Sequence, residues 1–139
     1  MQLPETLQLR LASEFRFAAD KMADAPDLPT KLYFFSAFYG EVNRAFNQSW
    51  SSELGLMHLV LREVYQQISG RLNMPTPGTA IPKELPEALG WVASELAELF
   101  EGKQIDDARF HQVLARAAAL SYVATGNGYY LYLKGQIRI

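Results

Sequence analysis

Cysteine is absent from the 139 residues, which removes disulfide scaffolds, thiolate zinc sites, iron–sulfur clusters and cysteine nucleophiles together. Long apolar runs are missing too: no stretch approaches the roughly 18 to 20 residues that a membrane-crossing helix needs. The segment Met1–Arg10 carries Glu5 and has no basic stretch followed by an apolar block, so it does not resemble a secretory signal, and a cytoplasmic location is expected. Nor is there a surplus of positive charge, since 13 Lys and Arg against 15 Asp and Glu leave −2. The charge is unevenly placed: Lys83–Asp107 holds seven acids and two bases (−5), Ala108–Ile139 four bases and no acid (+4), and Met1–Pro82 seven bases and eight acids (−1). An acidic segment followed directly by a basic one neutralises itself across a helical hairpin or between subunits. Neither forms the one-sided basic footprint that nucleic acid requires, so no nucleic-acid partner is expected.

Chemistry-bearing motifs are equally scarce. No GxSxG, Walker A loop, GxGxxG or serine–lysine arrangement occurs, and Gly126-Asn127-Gly128 follows a helical pattern, the wrong order for a phosphate-cradling loop. The two histidines, His58 and His111, sit in no HExxH or ExxH spacing. Neither a metal nor a cofactor is expected.

What is present is an ordinary globular balance, 49% apolar and 20% charged residues, with too much apolar material for a disordered chain. A chain of this length buries roughly two thirds of the surface it exposes unfolded, enough for one core. The pattern predicts a single, mostly α-helical domain over 1–139, an antiparallel bundle of four to five helices completed by a short C-terminal β-hairpin or strand.

Leu7, Leu11, Phe15, Ala18 and Met22 recur at helical spacing, and the two prolines of Asp24–Pro29 end that helix. Asp27 is placed to cap a second helix over Thr30–Gln48, with Pro29 where a missing N–H costs little. This helix is aromatic on more than one side, and its Gly40 offers a place for another backbone to approach. Ser51 is a plausible cap for a third, in which Leu54, Met57, Leu61, Val64, Ile68 and Leu72 form the buried stripe, and Leu56 and Val60 are expected to widen it. Residues 73–82, with three prolines, form a connector. A fourth helix runs over Lys83–Glu101 and stops at Gly102. The fifth starts at the cap Asp106, with Ile105 and Phe110 placed for a hydrophobic staple, and its Ala115–Ala119 run permits close packing. Residues 126–139 read as a β-like tail that turns at Lys134-Gly135.

Side chains of possible function fall in three groups. Tyr33, Phe34, Phe38 and Tyr39, with Glu41 and His58 as polar contacts, are expected to frame a ligand pocket, although core packing is the commoner use of such aromatics. Glu41 paired with His58 or His111 is the only arrangement resembling acid–base machinery, and it requires hydrogen-bonding distance across helices. His111 follows Asp107 by four residues, a local helical pair. Glu87, Glu95, Glu98 and Glu101 have the spacing of a solvated helix face. Tyr129, Tyr130, Tyr132, Ile137 and Ile139 of the tail are expected at an interface, a commoner setting for tyrosine than a stacking platform for single-stranded nucleic acid. Two isolated strands are marginal in water, so the tail must pack on the helices or pair with another chain. The function expected first is therefore a non-enzymatic interaction or assembly protein forming homo-oligomers; the alternative is a small-molecule-binding or sensor bundle with an aromatic pocket.

Overall fold

Helical periodicity in the sequence becomes six helices in the computed structural model, which describes residues 1–139: α1 Glu5–Asp24, α2 Leu28–Gln48, α3 Ser52–Asn73, α4 Leu85–Glu101, α5 Asp107–Ala124 and α6 Tyr129–Leu133. Side-chain oxygens start three of them: Asp27 accepts from the Thr30 N–H at 2.8 Å, Ser51 from Leu54 at 3.1 Å and Asp106 from Arg109 at 3.2 Å. Each satisfies one of the amides that a helix N-terminus leaves unpaired.

The five long helices close a ring. α1 packs on α2 and α4, α2 on α3, α3 on α5 and α5 on α4, and α2 also touches α4 across the interior. α3 and α4 do not meet; the connector, Met74–Glu84, carries the chain between them over the end of the bundle. Gly78 lies there at φ +77°, in the left-handed region that favours glycine. α3 and α5 run the same way, because Leu59–Glu63 face Ala118–Tyr122 in one groove while Arg71 near the end of α3 reaches Ala124 at the end of α5.

One apolar cluster, drawn from all five long helices, fills the ring. Its centre is aromatic: Phe15 of α1 stacks on Phe38 of α2 at 4.8 Å between centroids and meets Phe100 of α4 edge-on at 5.0 Å, and Phe35 stacks on Phe38 at 5.5 Å. Each such ring, fully buried, contributes about 1.5–3 kcal/mol from area alone, and α2, which touches α1, α3 and α4, supplies two of the four. Gly40, by contrast, faces open solvent, with nothing within 4 Å of where a Cβ would stand. No other backbone approaches it.

The tail corrects the expected β-hairpin. The structure contains no strand and is 74% helix, so an isolated β segment finds no ladder to join. Gly126, at φ +89°, ends α5, and the Gly128 N–H reaches back to the Tyr122 carbonyl. Tyr129–Leu133 then coil into one turn that closes as a Schellman motif: Gly135 at φ +73° donates to Tyr132 and Gln136 to Leu131. The glycine expected to make a hairpin turn instead stops a helix. With its amides satisfied locally, the Tyr-Leu run has no need of a partner strand.

Candidate functional site

Four of the five seams of the ring are bridged by polar or aromatic pairs. Between α1 and α4, Arg16 holds Glu101 through two hydrogen bonds of 2.6 and 3.0 Å, and the Gln8 amide donates to the Phe100 and Gly102 carbonyls. The Arg16 contact keeps the Glu101 carboxyl below its ordinary pKa. Between α4 and α5, Arg109 donates to Glu95 and lies 3.3 Å from Glu98, while the Arg116 guanidinium sits 4.2 Å from the centre of the Trp91 ring. Across this hairpin Arg109 is the one base of the basic segment that pairs with acids of α4; Glu101 and Asp107 are taken by Arg16 and the Met1 ammonium instead. Lys31 donates to the Met22 carbonyl and Arg10 to Gln48 across α1 and α2. Tyr39 packs 5.3 Å from Tyr65 across α2 and α3.

The α3–α5 seam is different. Its single polar tie is at one end, where the buried Arg71 donates to the Ala124 carbonyl at 3.2 Å, a favourable place for a cation beside the last carbonyls of a helix. Along its middle runs a groove of about 400 Å³ lined by Leu59, Val60, Glu63, Ala118, Ser121 and Tyr122. Leu59 is 61% exposed, Leu56 one turn before it 48%, and Tyr122 44%, and Ala115 and Ala118 are exposed beside them. Large apolar side chains from two helices converge here on one open groove. Leu9 and Phe17 of α1 and Trp50 before α3 are also exposed, but no groove among the five principal ones is lined by Phe17 or Trp50, and Leu9 borders a mainly polar one. Scattered exposed apolar residues are normal; a converging patch is the informative case.

The residues singled out from the sequence are dispersed. Phe38 is wholly buried, while Tyr33 on the same helix is 70% exposed. Phe34 leans edge-on against Tyr33 at 5.2 Å, and Tyr39 is half-buried against Tyr65. None of the five principal cavities is lined by Phe34, Phe38, Tyr39, Glu41 or His58; Tyr33 borders a groove of about 380 Å³ with Leu32, Tyr65 and Leu72 at the α2–α3 seam. Glu41 lies 3.8 Å from Arg44 on its own helix, and one of its oxygens is buried without a hydrogen-bond partner. The His58 Nδ1 lies 3.4 Å from the Tyr39 carbonyl oxygen. No hydrogen bond joins Glu41 to either histidine. His111 is exposed, and Asp107 takes the Met1 ammonium.

In the tail, Tyr132 donates its hydroxyl to Glu84 at the start of α4, which holds that carboxyl below and the phenol above their ordinary pKa values. Tyr129 packs 5.9 Å from Tyr132, Ile139 lies against the core, Ile137 is half-buried and Tyr130 is exposed. Three of the acids on the outer face of α4 meet arginines: Glu95 and Glu98 share Arg109, and Glu101 takes Arg16.

No family model, curated protein or solved structure matches this chain. The candidate site therefore rests on physical grounds. Sequence reading missed it because Leu56 and Val60 fit a widened buried stripe equally well. The one available signal was Leu59, an apolar residue off that stripe, beside a run of alanines on α5 with no obvious partner.

Proposed function

We propose that this chain is a non-enzymatic interaction and assembly protein whose docking surface is the α3–α5 groove. The observation that carries the reading is the contrast between the two seams of α5: towards α4 it is bridged by Arg109 and Arg116, and towards α3 it leaves an open, mainly apolar groove with exposed Leu59 and Tyr122. Covering such a groove with apolar side chains removes that surface from water, the main favourable term in protein association. Ala118 on its α5 wall lets a partner approach closely.

The alternative, a small-molecule-binding bundle built on the aromatic side chains of α2, has less support. Phe38 is committed to the core, and the aromatic and polar groups named for such a pocket do not surround a common cavity.

Light scattering coupled to size exclusion tests the assembly reading, on the unaltered chain and on Leu59→Glu. The expected result is a concentration-dependent mass above one chain that falls to one chain in the variant. Because Leu59 is exposed, the unfolding midpoint of the variant should stay within about 2 °C of the parent monomer. An unaltered chain that remains monomeric at the highest attainable concentration overturns the proposal.

A further inference from the structure

The tail presents an exposed apolar surface of its own. α6 is fastened to its own molecule on one side, through the Tyr132 hydroxyl on Glu84, and Ile139 behind it packs against the core. The other side turns outward: Tyr130 is 63% and Leu133 65% exposed, and the Lys134 ammonium lies 4.9 Å from the Tyr130 ring centre and 3.2 Å from its hydroxyl. Residues 130, 133 and 134 share one side of a helical turn. Together they make an apolar knob bearing one positive charge on a turn that is closed by the Schellman motif and tied to Glu84.

The α3–α5 groove is mainly apolar with one negative charge. Leu59, Val60, Ala118 and Tyr122 are apolar, and the only charge is that of Glu63, one of whose oxygens takes the Gln67 amide at 2.6 Å while the other has no protein partner. In its own molecule α6 packs on α5 with Tyr132 on Glu84, and none of residues 129–139 lines the groove. We infer that the groove receives the Tyr130–Leu133–Lys134 knob of a second copy of this chain, with Lys134 meeting Glu63. The inference rests on the assembly reading above and names its partner. Exchanged reciprocally about a two-fold axis, the contact closes a dimer. The apolar surface supplies affinity and the charge pair supplies register, since exposed ion pairs alone contribute little.

Charge reversal in the full chain separates the two ideas. Dimerisation is measured by sedimentation equilibrium for the unaltered chain, Glu63→Lys, Lys134→Glu, the double reversal and Ala118→Glu, with helix content checked by circular dichroism. Each single reversal should weaken the dimer about tenfold by placing like charges together, and the double reversal should restore it to within about threefold. Ala118→Glu should abolish it. If Ala118→Glu abolishes the dimer while Lys134→Glu leaves it unchanged, the groove binds some other face and the knob inference falls, with the assembly reading intact. Single reversals that weaken the dimer without rescue in the double variant also overturn the pairing. A monomer throughout overturns both readings.

Discussion

The two sides of α5 are built by opposite means. Towards α4 it is held by Arg109 on Glu95 and Glu98 and by Arg116 over Trp91; towards α3 it is held by apolar side chains that leave a groove, with one buried arginine at the end. The charged side spends its polar groups within the molecule and leaves little for a partner to use. The apolar side leaves surface exposed that still gains from being covered. On the proposed reading, the docking surface is marked by the seam with few internal ties, more than by the residues that are aromatic.

Breaking the polar tie of the apolar side should have the largest effect on the fold. Arg71→Ala strands the Ala124 carbonyl and leaves a void beside Ile68, Ile81 and Leu85, so a loss of about 2–4 kcal/mol is expected in denaturant unfolding. Arg71→Met, which keeps the volume and removes a buried charge that has no carboxylate partner, should lose clearly less. Equal losses would mean that the hydrogen bond, and not the filled space, holds that end of the seam.

Acid should act on a bridged seam. The Glu101 carboxyl has its pKa lowered in the folded chain by the Arg16 hydrogen bond. Its contribution is therefore present above its unfolded value near 4.5 and is lost as the pH falls through the lower folded value. Unfolding followed from pH 6 downward should show a shallower acid loss in Glu101→Gln than in the parent; parallel curves would remove this ion pair from the account. On the α4–α5 side, Glu95→Gln should lower the unfolding midpoint slightly, with a difference that shrinks but persists near about 1 M salt, because the pair is partly buried. The smallest effect belongs to the groove: Leu59→Ser should change monomer stability by less than about 0.5 kcal/mol in denaturant unfolding. A larger loss would show that Leu59 already has its packing partners within the chain.

The five long helices were legible because each announces itself locally. Leu7, Leu11, Phe15, Ala18 and Met22 keep helical spacing and are all buried, and Asp27, Ser51 and Asp106 are the caps that their positions suggest. The tail was misread because Tyr and Leu favour strands only where there is a sheet to join, and the deciding fact is the absence of any other strand. The groove was illegible for a related reason. Whether Leu56 and Leu59 are covered depends on how widely α3 and α5 are spaced, a property of the closed ring that no helix states alone. The aromatic run of α2 drew notice by composition, yet the position of Phe38 between Phe15 and Phe35 makes it core.

The ring also sets an order of events during synthesis. Phe15 lies between Phe38, a short hairpin away, and Phe100; the neighbouring Arg16–Glu101 bridge spans 85 positions of sequence. α1 to α3 can pair as they leave the ribosome, but the far side of Phe15 stays uncovered until α4 has been made. Local hairpins therefore form early and closure by α4 comes late, which makes the nascent three-helix stage the moment when this chain most needs protection from aggregation.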